Sequence, residues 1–127
     1  MEEFVVQNGL IVSGSLSVTN NIVPRVATIA SSATPTPDAD TTDLYAVTAL
    51  ATGATLGAPT GTPIHGQKLT IRILDNGSAQ TLAYNAIYRA FGTALPTTTT
   101  ISKTLYLGCI YNSADATWDV VAVTEQV

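Results

Sequence analysis

Charged side chains are scarce in this sequence of 127 residues. Lys, Arg, Asp and Glu make up 11% of the residues, less than half of the roughly 25% that is usual in a globular domain. Only five residues are basic and the formal net charge is −4, whereas nucleic-acid binding depends on clustered Lys and Arg that neutralise phosphates. We therefore expect no nucleic-acid partner.

Cysteine and histidine occur once each, as Cys109 and His65. A lone cysteine forms no internal disulfide and is typical of a protein made in a reducing cytosol. A structural zinc site needs four ligands, and a Ser-His-Asp site needs a nucleophile, a base and an orienting acid in mutual contact. We interpret His65 as a loop residue and Cys109 as a small core residue, and we expect neither enzymatic activity nor a cofactor.

Long apolar segments are also missing, because no run approaches the roughly 20 residues needed to cross a bilayer. The sequence opens with Met1, Glu2 and Glu3, which are acidic where a secretory signal carries positive charge. We therefore expect no membrane partner and synthesis in the cytoplasm of the host cell.

One carboxylate cluster, Asp38, Asp40 and Asp43, leaves two interpretations open. A hard cation such as calcium takes several oxygen ligands from one loop, and three acids within six residues would supply some of them. The cluster lacks the central glycine and the closing glutamate of an EF-hand loop. A solvated loop in which one aspartate caps a turn is the alternative.

Hydroxyl side chains are abundant instead, with 21 Thr and 8 Ser. Apolar and polar residues alternate in short segments that end at turn-forming residues, which predicts strands at residues 25–30, 43–50, 68–75, 103–112 and 118–124. Asp75, Asn76 and Gly77 predict a hairpin between residues 68–75 and 78–84, and residues 112–117 predict a second one. With no convincing helix, the pattern favours an all-β fold, a jelly-roll-like antiparallel β-sandwich.

The first two dozen residues follow a different pattern. Val6, Val12 and Val18 recur at a spacing of six, as do Leu10, Leu16 and Ile22. Turn-forming residues separate them, which indicates very short strands that cannot bury their apolar faces within one chain. Packing around a threefold axis, an arm laid across a neighbour and an ordinary hairpin at the edge of the main domain remain open. Because Pro24 marks a boundary, we divide the chain into an arm at residues 1–24 and a body at residues 25–127.

Several segments of the body resemble bacteriophage virion proteins. Residues 61–77, GTPIHGQKLTIRILDNG, resemble a block found in phage tail and structural proteins. The resemblance extends to residues 82–89, 95–99, 103–108 and 111–123. Residues 8–20, NGLIVSGSLSVTN, are similar to the short repetitive β segments of trimeric tail fibres.

The resemblance implies a non-enzymatic, trimeric component of a virion. Fibre proteins usually carry such modules at the end of a long shaft, whereas this chain starts with Met1 and has one short fibre-like segment. We therefore expect a capsid decoration (cement) protein on the outer capsid surface, a homotrimer bound to the major capsid protein of the same virion. The alternative is a tail-fibre or tailspike domain that binds a host receptor, with Tyr88, Phe91 or the loops at residues 54–67 and 94–100 meeting a surface glycan.

Two sets of residues are assigned to these contacts. Apolar anchors of the arm would bind the capsid by added β-strand pairing and burial: Phe4, Val6, Leu10, Val12, Leu16, Val18 and Ile22. Strands that are apolar on both faces would form the trimer interface, with Val121 and Val123 facing a second layer or a partner. The interface set is Tyr106, Ile110, Trp118, Val121 and Val123.

Overall fold

A computed structural model describes residues 4–127, so Met1, Glu2 and Glu3 of the expected arm lie outside the described residues. Within residues 4–127 the chain forms eight β-strands and no helix, and it therefore has no helix able to span a membrane. The strands are β1 (Val26–Ile29), β2 (Leu44–Leu50), β3 (Ala54–Leu56), β4 (Lys68–Asp75), β5 (Leu82–Tyr84), β6 (Tyr88–Ala90), β7 (Leu105–Asn112) and β8 (Thr117–Glu125). The prediction of a mostly β fold is confirmed.

Six strands form one mixed sheet in the order β1-β2-β4-β7-β8-β6. The pairs β1-β2, β2-β4 and β6-β8 are parallel, while β4-β7 and β7-β8 are antiparallel. The antiparallel prediction is therefore wrong for three of the five pairings, and a jelly roll is not confirmed. Parallel neighbours need a long crossover, and the connections at residues 30–43 and 51–67 provide it without a helix.

The remaining strands, β3 and β5, form a separate parallel pair. The predicted hairpin between residues 68–75 and 78–84 is therefore wrong, although its turn does form. Gly77 has φ +95°, and its N–H donates to Asp75 Oδ1 at 2.9 Å. The chain then continues into β5, which pairs with β3, while β4 pairs with β7. The second predicted hairpin, β7 followed by β8, is confirmed.

Both sheets contribute to one hydrophobic core. In β4 the side chains of Leu69, Ile71 and Ile73 are buried, while those between them are half-buried. Ala54 and Leu56 of β3 and Leu82 of β5 belong to the same cluster. The largest apolar side chains with almost no exposure are Trp118, Leu50, Leu69, Ile71, Leu107, Val47 and Val120. The body thus buries one face of its large sheet within a single chain.

The segment before the body is different, because every residue from 4 to 26 is exposed. Residues 4–24 contain bends at residues 7–8, 13–14 and 19–20 and no strand. The predicted short strands are therefore not found in this segment, and the hairpin alternative is wrong because no residue of 4–24 pairs with a strand. We call residues 4–24 the N-terminal arm.

Candidate functional site

The N-terminal arm repeats a unit of six residues. Its three bends lie six residues apart, and the apolar side chains between them keep the same spacing. The first position of each unit is held by Phe4, Leu10, Leu16 and Ile22, and the third by Val6, Val12 and Val18. These seven side chains are all exposed. The structure therefore places every residue assigned to the capsid-binding arm on the surface of the chain.

Three further apolar residues of the arm are missing from the set assigned from the sequence. Val5, Ile11 and Val23 occupy the second position of the repeat and are also exposed, Ile11 to 96%. The spacing of six could have found them, but Ser17 interrupts the series. The apolar surface of the arm is thus broader than the two series recognised from the sequence.

The arm makes no hydrogen bond to the body among the described residues 4–127. Full burial of one Val, Leu, Ile or Phe side chain stabilises a contact by about 1.5–3 kcal/mol. Large exposed apolar patches often mark a site of interaction with another molecule. Within residues 4–127, the apolar side chains of the arm are therefore not covered by the rest of the chain.

Arg25 fixes the point where the arm meets the body. Its Nη2 donates to Asp43 Oδ1 at 2.8 Å and its Nε to Asp43 Oδ2 at 3.0 Å, while Nη1 donates to the Asp40 carbonyl. The Arg25 N–H also donates to Asp43 Oδ2 at 2.7 Å. These bonds with the Arg25 side chain and backbone lower the pKa of Asp43 from 3.8 to about 2. The base of the arm is thus held against the start of β2.

The other carboxylates of the aspartate cluster bind protein groups. Asp40 Oδ1 accepts the Thr62 N–H at 2.8 Å, and Asp38 Oδ1 accepts the Asp40 N–H at 2.9 Å. Within residues 4–127 no group of three or more His, Cys, Asp or Glu side chains is arranged to hold a metal ion. Of the two interpretations left open by the sequence, the geometry favours the one in which an aspartate caps a turn.

The residues assigned to the trimer interface do not share one surface. Tyr106 and Ile110 lie on the face of β7 opposite the core, Tyr106 exposed and Ile110 half-buried. Val121 is 50% exposed, but Val123 packs partly against the core. Trp118 has 0% exposure and belongs to the core of its own chain. Its assignment to an interface is therefore wrong, because it has no surface left for a partner.

Two open grooves meet at Tyr106. One, of about 540 Å³, runs along Pro24, Leu44, Lys68 and Thr70, and so reaches the base of the arm. The other, of about 360 Å³, is lined by Arg72, Thr104, Tyr106, Thr124, Glu125 and Gln126. The uncovered face of the large sheet thus carries two shallow grooves that share Tyr106, and one of them lies next to the arm.

Cys109 and His65 are the residues whose side chains could act as a thiol nucleophile and as a base. Burial raises the pKa of the Cys109 thiol to about 12, which keeps it protonated and unreactive. His65 Nδ1 accepts the N–H of Ser113 at 3.1 Å and lies 3.1 Å from its hydroxyl. His65 and Ser113 are both exposed, and within residues 4–127 His65 donates no hydrogen bond to a carboxylate that would orient its ring. The contact joins two loops and does not build a nucleophile.

The aromatic residues of the receptor-binding alternative are divided between core and surface. Tyr88 is buried, and its hydroxyl donates to the Gly57 carbonyl at 2.9 Å, so it offers no face to a glycan. Phe91 is exposed, and the Arg89 guanidinium lies 5.1 Å from the centre of its ring. Arg89 in turn pairs with Asp115 and Asp119. Of the two aromatic residues, Phe91 alone is accessible.

No protein-family model, curated protein sequence or solved structure matches the chain. The features that bear on function are therefore the exposed apolar arm and the body to which it is attached.

Proposed function

We propose that the chain is a structural protein of a bacteriophage particle that decorates the capsid as a trimer. The observation that carries the proposal is the N-terminal arm, whose ten large apolar side chains are exposed and recur every six residues. Large apolar patches are rare on the surface of monomeric soluble domains. A partner that covers the arm would bury the apolar side chains that residues 4–127 leave exposed.

The arm would bind its partner by backbone and side-chain contacts together. The backbone N–H and C=O groups of its extended segments have no strand partner among residues 4–127. An exposed sheet edge on the major capsid protein would pair with them, while apolar pockets would receive the anchors of each six-residue unit. The bends between units let successive segments change direction and follow a curved capsid surface.

The body would serve as a rigid platform that sets the position of the arm. Arg25 and Asp43 hold the base of the arm next to β2, and the uncovered face of the large sheet with Tyr106 lies beside it. We assign the contacts between sister subunits to this face and to the exposed Val121. Low charge suits both surfaces, since the cores of interfaces are depleted in charged residues.

A tail-fibre component is the second candidate, and the regular six-residue unit favours it. Three copies of the arm in register would bring equivalent apolar positions to the same level and bury them around a common axis. In that arrangement Phe91 and the loops at residues 54–67 and 94–100 remain the surfaces for a receptor glycan. This function places the arm against its own copies and leaves no role for a capsid contact.

Removal of the arm tests the first proposal. A variant that lacks residues 1–22 should melt at the same temperature as the full chain but should no longer sediment with capsids that lack the native protein. The double variant Leu10→Ser and Leu16→Ser should weaken binding at least about tenfold, because it removes two apolar side chains that the partner would bury. The matched control Ser13→Ala and Ser17→Ala changes only polar positions and should bind normally. Undiminished binding without the arm would refute this role.

The number of copies per particle separates the two candidates. A decoration protein is present in hundreds of copies on one capsid, whereas a fibre is present in a few dozen at most. Quantitative mass spectrometry of purified virions, with the major capsid protein as internal reference, measures this ratio directly. A copy number near that of the capsid protein supports decoration, and a value far below it supports the fibre.

A further inference from the structure

The chain contains two Asn-Gly dipeptides in very different surroundings, at residues 8–9 in the arm and at residues 76–77 after β4. The two glycines are alike in conformation, with φ +93° for Gly9 and +95° for Gly77, and open space surrounds both. Asn-Gly is the dipeptide in which the glycine nitrogen most easily reaches the asparagine side chain, because glycine has no Cβ to obstruct the approach. The two sites therefore differ mainly in the hydrogen bonds that hold each dipeptide in place.

The hydrogen bonds separate the two sites. Asn8 and Gly9 are exposed and make no hydrogen bond to any residue of 4–127. By contrast, the Gly77 N–H donates to Asp75 Oδ1 at 2.9 Å, and the Asn76 N–H donates to the Leu50 carbonyl at 3.1 Å. The Asp75 carboxylate is itself held by the Ser102 N–H and the Thr99 hydroxyl. Asn8-Gly9 therefore has no hydrogen bond within residues 4–127 to break before it reacts, whereas Asn76-Gly77 is held at both residues.

We propose that Asn8 is a site of spontaneous deamidation and that the Asp75 carboxylate protects Asn76 from the same reaction. The Gly9 nitrogen loses its proton to water or hydroxide and attacks Cγ of Asn8. The new C–N bond closes a succinimide, and the Cγ–Nδ2 bond breaks with release of ammonia. Water then opens the ring at either carbonyl, so that an aspartyl or isoaspartyl residue replaces Asn8. The net change is one amide and one water converted to one carboxylate and one ammonium ion.

The same steps are disfavoured at Asn76. The Gly77 nitrogen must lose its proton to react, but its N–H donates a hydrogen bond to the Asp75 carboxylate. The negative charge of that carboxylate opposes formation of an amide anion at the nitrogen. Rotation of the dipeptide toward the attacking geometry also breaks the backbone bond to Leu50. Reaction at Asn76 therefore requires local opening, whose free energy lowers the rate.

The product at position 8 changes the bend that joins two apolar units of the arm. A negative charge, and in the isoaspartyl form an extra methylene in the backbone, appears between Val6 and Leu10. Any partner that buries this unit would meet an uncompensated charge. The chemistry itself needs no partner, so it can be measured independently of the proposed capsid role.

Peptide mapping of the full-length protein tests the proposal. After incubation at mildly alkaline pH, trypsin releases residues 1–25 and 73–89 as separate peptides, each with one Asn-Gly. Mass spectrometry should find conversion at Asn8 at least about tenfold faster than at Asn76, the ratio that a modest opening free energy produces. Equal rates at the two sites, or no product at position 8, would overturn the proposal.

Two controls separate structural protection from intrinsic reactivity. In denaturant the two rates should converge, because Asp75 no longer holds the Gly77 N–H. A ratio that persists in the unfolded chain would overturn the protective role assigned to Asp75. The Gly9→Ala variant should slow conversion at Asn8 and leave Asn76 unchanged, because the added Cβ obstructs the approach of the nitrogen of residue 9 to Asn8 Cγ.

Discussion

Arg25 and Asp43 form a two-point ion pair, Nη2 to Oδ1 at 2.8 Å and Nε to Oδ2 at 3.0 Å. Arg25 directly follows the N-terminal arm, and Asp43 directly precedes β2. The Arg25 carbonyl also accepts the N–H groups of Asp43 and Leu44. The arm therefore leaves the body at a fixed point, and that point is sensitive to acid because one partner is a carboxylate.

Acid should weaken the body through Asp43. Its pKa falls from 3.8 to about 2 in the folded chain, so its contribution is complete above about pH 4 and is lost as the pH falls toward 2. Because more than a third of the side chain is exposed, we expect this contribution to be about 1 kcal/mol at most. Chemical unfolding of Asp43→Asn should show a smaller loss of stability over this pH range than the unchanged chain.

The control for this measurement is Glu125→Gln, which removes an exposed carboxyl that forms no ion pair within residues 4–127. Its acid dependence should follow that of the unchanged chain. If Asp43→Asn and Glu125→Gln lose stability in parallel, the Arg25 pair does not determine the acid response.

Truncation of Trp118 should destabilise the body far more than truncation of Val121. Trp118 is fully buried and its ring lies 5.1 Å from that of Tyr111, so Trp118→Ala should lower the free energy of unfolding by about 3–5 kcal/mol. Val121 is half exposed, and Val121→Ala should change it by less than about 0.5 kcal/mol. Denaturant titration measures both. Similar losses for the two variants would mean that Val121 is as deeply packed as Trp118.

The side-chain directions of β8 explain why the interface residues were only partly predictable. Simple alternation places Val121 and Val123 on the same side of the strand. A register shift after Gly108 changes the pairing, with Gly108 opposite Ala122 and Cys109 opposite Val120. Beyond the shift, Ala122 is exposed and Val123 packs partly against the core. A bulge of this kind depends on the neighbouring strand, so the sequence of β8 alone does not reveal it.

Local patterns nevertheless predicted much of the fold. Alternation marks β4, and the turn at residues 113–116 joins β7 to β8 as expected. The parallel pairings were missed because they are set by long loops, which bring segments together without a local signal. Asp75 illustrates the same limit: its turn was predicted, but its bonds to Thr99 and Ser102 come from a distant segment.

Gly61 and Gly66 should differ in their tolerance of a side chain. Both have positive φ, +90° and +81°, so alanine is strained at either position. At Gly61 the added Cβ would also lie 2.6 Å from Asp40 Cγ, whereas at Gly66 nothing lies within 4 Å. Gly66→Ala should destabilise the body by about 1 kcal/mol and Gly61→Ala by clearly more. Thermal unfolding of the two variants checks the order, and equal shifts would show that Asp40 moves aside without cost.

The six-residue spacing of the arm should matter more than its length. Duplication of residues 10–15 adds one complete unit and keeps each anchor in its series, whereas duplication of residues 13–15 alone shifts Phe4 and Leu10 by half a unit relative to Leu16. Both insertions lie outside the body, so both variants should unfold at the temperature of the unchanged chain. If capsid pockets receive the anchors at this spacing, the longer insertion should retain binding and the shorter one should weaken it at least about tenfold. Sedimentation with capsids measures the difference in binding. An equal loss of binding for both insertions would mean that binding depends on the length of the arm and not on its six-residue repeat.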